Sequence, residues 1–199
     1  MATDAATASC ELRFDSGRIC LDLLATTHPE ERLDSVERLR TWITGAALVP
    51  PGTPLAGVDA AWLEEFRELR LDLGTLIRGV LDGRPADGAA PAALARLNAA
   101  AGQAPPAPCA VPAEDGLLVR RLRAFPERGE LLSVVAREAI ELLTDPGTRA
   151  RLRRCEGDNC PLVYLDTSRG RRRRWCSSEV CGNRERVARH RRRAALPRA

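Results

Sequence analysis

The chain has 199 residues, with 31 arginines, no lysine, 27 acidic residues and a formal net charge of +4. This length allows one domain or two small ones, and no run approaches the roughly 18 apolar residues of a membrane-spanning helix. The N-terminal segment MATDAATASC has neither a basic region nor an apolar run. We therefore expect a soluble, cytoplasmic protein rather than a secreted or membrane protein.

The two ends of the chain carry opposite charge. Residues 1–150 contain 16 arginines and 22 acidic residues, a net charge of −6, whereas residues 151–199 contain 15 arginines and 5 acidic residues, a net charge of +10. We predict an acidic domain over 1–150 and a basic domain over 151–199. Positive charge concentrated in this way favours a polyanionic partner, most often nucleic acid.

The first 83 residues predict one region of β-type alternation and two helices. Glu11 to Leu24 alternates apolar and polar residues around a turn and predicts a short β-hairpin or a strand running into a helix. Leu33 to Ala47 has apolar residues at steps of three and four, which predicts a helix. The longest helix is predicted from Asp59, as its N-cap, to about Asp82.

The remainder of the first 150 residues predicts a mixture of elements. Arg84 to Pro112 is rich in Pro, Ala and Gly and predicts one short helix, Pro91 to Ala101, followed by a loop. Gly116 to Phe125 alternates and predicts a strand, and Glu130 to Leu143 predicts a helix. We expect the aromatic residues at helical spacing to form core, with lining of a ligand pocket as the alternative; they are Trp42, Trp62 and Phe66.

Four cysteines near the C-terminus form two pairs. Cys155 and Cys160 make one C-x4-C pair, Cys176 and Cys181 make a second, and fifteen residues separate the pairs. Two close pairs joined by such an insert can converge on one tetrahedral Zn²⁺. The alternatives are disulfides, which need an oxidising compartment that the N-terminus does not indicate, and free or redox-active thiols.

The predicted zinc site is structural. Four thiolates fill the coordination shell, whereas a catalytic zinc ion keeps one position open. The two histidines, His28 and His190, do not stand at ligand spacing beside the cysteines. Because no acid–base or nucleophile constellation is visible, we expect no enzymatic activity.

The elements around the cysteines predict a small treble-clef-like unit of knuckle, hairpin and helix. Leu162 to Leu165 predicts a strand, Asp166 to Gly170 a turn, and Arg171 to Trp175 a return strand. A terminal helix is predicted from Gly182 to about Ala195. The helix would place its positive N-terminal end beside the anionic metal centre. The predicted fold class is α+β, with a mainly helical N-terminal domain containing short hairpins.

The segments RCEGDNC, YLDTSRGRRRRWC and WCSSEVCGNR, within Arg151 to Arg193, resemble the CGNR zinc finger, a bacterial module. RFDSGRICLDLL, from Arg13 to Leu24, is similar to the opening of the ABATE domain, which precedes this finger in a family of stress-induced transcription regulators. The resemblance implies that the four cysteines bind zinc and that the protein takes part in DNA-directed regulation. It also implies that Asn183 and Arg184 belong to the motif.

The basic segment supplies the candidate nucleic-acid contacts. Arginines of the predicted return strand are expected to bind phosphates, and a zinc-anchored helix can place arginines against guanine in the major groove. For Asn183 we favour a hydrogen bond to a thiolate or a helix cap over contact with adenine. The candidates are Arg169, Arg171, Arg172, Arg173, Arg174, Asn183, Arg184, Arg186, Arg189, Arg191, Arg192 and Arg193.

Other readings of the basic segment stay open. Some arginines would offset the charge of the zinc thiolates or pair with the acidic domain. The finger would then be a module that binds an acidic protein, or RNA, rather than DNA. We expect the acidic domain to sense a small-molecule ligand or to mediate assembly, and a DNA-binding protein of this kind to be associated with the nucleoid.

Overall fold

The structure is a computed structural model that describes residues 12–84 and 87–194. Over these ranges the chain forms seven helices and two two-stranded antiparallel sheets, which confirms the predicted α+β class. The helices are α1 (Ile19–Ala25), α2 (Val36–Gly45), α3 (Ala60–Leu81), α4 (Ala90–Ala101), α5 (Arg128–Thr144), α6 (Pro146–Arg149) and α7 (Cys181–Ala194), and the strands are β1 (Pro108–Pro112), β2 (Leu118–Leu122), β3 (Leu152–Arg154) and β4 (Val163–Leu165). None of these helices combines the length and apolar composition that crossing a membrane requires.

Helix α3 is the centre of the N-terminal region, the name used below for residues 12–150. The Asp59 carboxylate caps it by accepting hydrogen bonds from the backbone N–H groups of Ala61 and Trp62, at 3.0 and 3.1 Å. Helices α1, α4 and α5 pack against it. Trp42 and Phe66 are fully buried, and their rings meet edge to face with centroids 5.8 Å apart. The predicted cap, helix and aromatic core are confirmed.

The first sheet is a hairpin with one strand that the sequence analysis missed. β2 lies within the predicted strand, but its partner β1 falls in a segment predicted as a loop. Prolines begin and end β1, at Pro108 and Pro112, and proline is confined to edge strands because it lacks the N–H donor. The Pro- and Ala-rich composition of this segment predicts a loop, but the segment forms an edge strand because it pairs with β2.

For Glu11 to Leu24 the predicted strand is wrong in the part that the structure describes, Leu12 onward, whereas the helix of the second alternative is confirmed. The segment is a loop followed by α1. The buried Asp22 carboxylate accepts a hydrogen bond from the Ser16 N–H at 2.9 Å and so ties the loop to the helix. Glu138 of α5 accepts the first helical N–H groups, those of Ile19 and Cys20, at 3.0 and 2.8 Å. These distant acceptors favour a helix start, which local alternation could not reveal.

The predicted hairpin of the finger, the name used below for residues 151–194, has a different partner strand. β4 pairs with β3 upstream, in the register Leu152↔Leu165, and not with Arg171–Trp175, which is irregular. Arg171 has a φ of +48°, which is incompatible with a strand. The loop between β3 and β4 therefore carries the first cysteine pair. The prediction of a terminal helix is confirmed by α7.

The finger and the N-terminal region share a hydrophobic core. Leu152 and Leu165 are 3% and 4% exposed and belong to the same buried cluster as the helices of the N-terminal region. The Leu165 N–H also donates a hydrogen bond of 2.8 Å to the carbonyl of Ser16. Gly17 allows this approach, because a Cβ added there would lie 3.2 Å from the Leu165 Cβ.

We expect Gly17→Ala to destabilise the protein more than Gly52→Ala. Both glycines have positive φ, +90° and +76°, so alanine adds a backbone cost of about 1–2 kcal/mol at either site. Only Gly17 faces a buried neighbour, and crowding Leu165 should add about 1 kcal/mol or more. Urea denaturation of both variants measures the difference. Equal losses of stability would show that the Gly17–Leu165 approach has no energetic role.

Candidate zinc centre and cationic surface

Four cysteine side chains converge at one end of the finger. Cys155 follows β3, Cys160 lies in the loop before β4, Cys176 lies in the loop before α7, and Cys181 is the first residue of α7. Their four Sγ atoms lie within 4.8 Å of one another. Two elements of regular structure, the β3–β4 hairpin and α7, thus position the two pairs of thiols.

The spacing of the sulfur atoms fits a zinc ion. The Sγ atom of Cys176 lies 3.7 Å from that of Cys160 and 3.6 Å from that of Cys181. Four thiolates at about 2.3 Å around a tetrahedral Zn²⁺ would stand roughly 3.8 Å apart, whereas a disulfide requires about 2.05 Å. All four cysteines are free thiols. The cluster is suited to one structural Zn²⁺.

Backbone donors and close packing support the cluster. The Cys155 sulfur accepts hydrogen bonds from the N–H groups of Gly157 and Cys176, at 3.4 and 3.3 Å. A Cβ at Gly157 would lie 3.1 Å from the Cβ of Cys181, so a side chain there would crowd the site. Leu162 and Tyr164 pack beside the cysteines in a small core of their own. Because this core is small, we expect its fold to depend on the bound metal.

An arginine from the N-terminal region reaches the zinc centre. The Arg13 guanidinium donates to the Cys176 Sγ at 3.3 Å and to the Cys176 carbonyl at 3.2 Å, and it is held by the Asp15 carboxylate at 2.9 Å. The Arg13 side chain is only 15% exposed. Sequence reasoning missed this residue as part of the site, although it opens the RFDSG motif and is 163 positions away in the chain.

The environments of the thiols differ. The hydrogen bond with Cys160 and the Arg13 guanidinium together lower the pKa of Cys176 to about 5, against the effect of burial. Burial instead raises the pKa of Cys181 to about 12. Cys181 stands at the N-terminus of α7, where the helix dipole favours negative charge. Arg13 favours the thiolate at Cys176, and the helix N-terminus favours it at Cys181.

A buried carboxylate shapes the loop that follows β4. Asp166 is 1% exposed and accepts hydrogen bonds from the Ser168 N–H at 2.9 Å, the Ser168 hydroxyl at 2.6 Å and the Arg173 N–H at 3.2 Å. The hydrogen bond with Ser168 lowers the pKa of Asp166 below its usual value. Asp166 thus remains ionised and fixes a loop whose outer residues are arginines.

The predicted contact residues separate into groups. Arg173 packs its guanidinium over the Tyr164 ring at 4.6 Å. It also donates hydrogen bonds to the carbonyls of Trp175, Asp15 and Cys176. Because these contacts are internal, Arg173 does not belong to the candidate nucleic-acid surface. Arg193 lies in α7, but its side chain is outside the described part. Nine arginines are exposed: Arg169, Arg171, Arg172, Arg174, Arg184, Arg186, Arg189, Arg191 and Arg192.

Four of the nine exposed arginines have local partners. Arg174 and Arg192 pair with acidic side chains at 2.5 and 3.9 Å, and Arg184 and Arg186 each donate to a backbone carbonyl at 3.3 Å. The guanidinium groups of the other five have no hydrogen bond or ion pair to any residue that the structure describes. They are Arg169, Arg171, Arg172, Arg189 and Arg191.

The outer face of α7 presents a mixed set of side chains. Asn183, Arg186, Val187 and His190 are three or four residues apart, so they follow one another along one side of the helix, and all are exposed. The thiolate bond or cap that we favoured for Asn183 is not found among the described residues. The structure instead places this side chain on the solvent face.

Comparison with protein families gives two matches. A family model described as "ABATE: Putative stress-induced transcription regulator" matches residues 17–146. A second model, described as "CGNR zinc finger", matches residues 151–194 and includes all four clustered cysteines. A comparison with curated proteins finds no match.

We expect Cys176→Ser to abolish stoichiometric zinc binding, because it removes one of the four thiolates and leaves an incomplete shell. Cys109→Ser is the matched control, since Cys109 is a half-buried free cysteine on β1 outside the cluster. Elemental analysis of the purified variants should give no zinc for the first and one ion for the second. One zinc ion per chain in Cys176→Ser would contradict the assigned ligand set.

We expect Arg13→Ala to weaken zinc affinity about 10–100-fold, the usual effect of losing a partner that orients a metal ligand. Arg169→Ala, which removes an exposed arginine of the finger, controls for the loss of one positive charge. Competition against a chromophoric chelator measures both affinities. Equal weakening in the two variants would show that Arg13 acts through general charge and not through its bonds to Cys176.

Proposed function

Because the chain belongs to the ABATE family and ends in a CGNR zinc finger, we propose that it is a transcription regulator that binds DNA through the finger. Zinc has a structural role in this proposal, since four thiolates leave no open coordination position for chemistry. The protein acts by binding and catalyses no reaction. It works in the cytoplasm, on the nucleoid.

The unpaired arginines carry the proposal. Five exposed guanidinium groups, without partners among residues 12–84 and 87–194, stand on one small module, divided between the Asp166 loop and α7. Arginines needed to balance the thiolates or to pack the finger are accounted for separately by Arg13 and Arg173. The charges of the other five arginines are not compensated by the described residues, and DNA phosphates would supply the complementary charge.

The two groups of arginines suit different parts of a DNA duplex. An α-helix fits the major groove, and the outer face of α7 offers Arg186 and Asn183, the side-chain types that read guanine and adenine. Arg169, Arg171 and Arg172 stand on the neighbouring loop, where contacts to the phosphate backbone would fix the orientation of the helix. The acidic N-terminal region would be repelled by DNA and is assigned to ligand sensing or assembly.

The alternative RNA partner is less well supported. Single-stranded RNA is bound largely by stacking bases on exposed aromatic rings. In the finger, Tyr164 is fully buried under Arg173, and Trp175 is half-buried against Gly182. A finger that uses its two aromatic residues internally favours a duplex bound through its backbone and grooves.

We expect the affinity of the full-length protein for duplex DNA to fall steeply with salt. About six phosphate contacts would give a slope of roughly −5 for the logarithm of affinity against the logarithm of salt concentration. Fluorescence anisotropy with labelled genomic fragments, or with sequences selected from random DNA, measures this slope. A slope near zero, or binding of only a stoichiometric acidic protein, would contradict the proposal.

Variants divide the contacts by role. Arg171→Ala and Arg172→Ala should each weaken binding to all sequences and make the slope shallower by about 1, whereas Arg186→Ala should reduce discrimination between sequences. Arg120→Ala, an exposed arginine on β2 of the N-terminal region, is the control and should change neither property. All variants must retain one zinc ion. Loss of affinity in the control alone would assign the DNA surface elsewhere.

A further inference from the structure

A crevice lies between the N-terminal region and the finger, and it contains none of the zinc ligands or the exposed arginines of the cationic surface. It has a volume of about 500 Å³. Helices α1 and α3 form one wall, and the start of β4 with the residues before it forms the other. Binding sites for small molecules fall in this range of volume and occur preferentially where two structural units meet.

The walls of the crevice are apolar with a few polar groups. Leu24, Ile77, Leu162 and Val163 contribute apolar surface from both sides, and Thr27 contributes a hydroxyl. Asp82 and Arg154 also line the crevice, but they form an ion pair of 2.6 Å and neutralise each other. The lining is thus mainly apolar with a few polar groups, which is typical of small-molecule binding sites.

One positive charge in the crevice is left without a partner. Arg78 of α3 has no hydrogen bond or ion pair among the residues that the structure describes. Its guanidinium folds back along the helix over Gly74: the three atoms nearest to a Cβ added at Gly74 all belong to Arg78, at 3.0–3.4 Å. The net charge of the lining is therefore +1.

Gly74 is an unusual residue for its position. Glycine in the interior of a helix destabilises it relative to alanine, and Gly74 lies in the body of the 22-residue α3 with an ordinary helical conformation. No turn or positive φ requires it. What its missing side chain provides is space for the guanidinium of Arg78, an exposed residue that lines the crevice.

We propose that this crevice binds a small organic monoanion, a carboxylate with an apolar body, whose charged group pairs with Arg78. A guanidinium matches a carboxylate with two parallel hydrogen bonds, and the apolar walls would take up the remainder of the ligand. Such a ligand contacts residues of both the N-terminal region and the finger. This proposal does not depend on DNA binding by the finger.

Octanoate is a suitable probe, with octanamide as the uncharged analogue and acetate as the analogue without an apolar body. We expect octanoate to bind the zinc-loaded full chain with one site in calorimetry, and both analogues to bind at least tenfold more weakly, because each lacks one half of the recognition. Octanoate should also raise the unfolding temperature, since a ligand that binds only the folded state stabilises it. Equal binding of octanoate and octanamide, or no octanoate binding, would overturn the proposal.

Variants locate the site. Arg78→Leu keeps the bulk and removes the charge, and it should weaken octanoate binding at least tenfold. Thr27→Trp, at an exposed position on the wall, should fill the crevice and prevent binding. Arg120→Leu is the control for loss of an exposed arginine and should bind as the unaltered protein does. Unchanged affinity in folded, zinc-loaded Arg78→Leu would place any octanoate site elsewhere and refute the assignment.

Discussion

Four thiolates confined within 4.8 Å are the constraint on which the structure of the finger depends. Negative charge at this density is stable only if it is compensated from several directions. Zinc supplies two positive charges, and the remainder is offset by backbone N–H groups, the N-terminus of α7 and the Arg13 guanidinium. The position of Arg13 is significant because it makes the N-terminal region part of the metal site. The finger is therefore completed by a residue outside it.

The same charge compensation explains why the arginines of the finger are not equivalent. Arg173 is committed to the Tyr164 ring and to backbone carbonyls, and Arg174 pairs with Glu156. The net charge of the segment counts both of these arginines, although their guanidinium groups already have partners within the protein. Removing the committed arginines leaves a smaller set on the Asp166 loop and α7, and it is this set, not the total of +10, that describes the surface available to a polyanion.

Sequence patterns predicted the elements whose causes are local. The helical spacing of apolar residues indicated α2 to α5, and Asp59 marked the start of α3 because an N-cap acts within one turn. The errors occurred where distant residues decide. Glu138 accepts hydrogen bonds from the first turn of α1, where the sequence predicted a strand. β4 pairs with β3, whose Leu152 lies in the main core, and not with the arginine segment. The cysteine cluster was predictable because metal spacing is itself a local pattern; the Arg13 contact, across 163 positions, was not.

Besides the ion pair between Arg154 and Asp82, the finger and the N-terminal region make contacts of three physical kinds. Leu152 and Leu165 bury apolar surface in a common core, Leu165 pairs its backbone with Ser16, and Arg13 binds a metal ligand. The third contact involves a zinc ligand directly, and the second and third both involve residues of the RFDSG loop. Because the loop residues from Arg13 to Gly17 take part in two of the three, a displacement of this loop alters the surroundings of the zinc ion directly. Arg13 thus links the RFDSG loop to the cluster of zinc ligands, one of which, Cys181, is the first residue of α7.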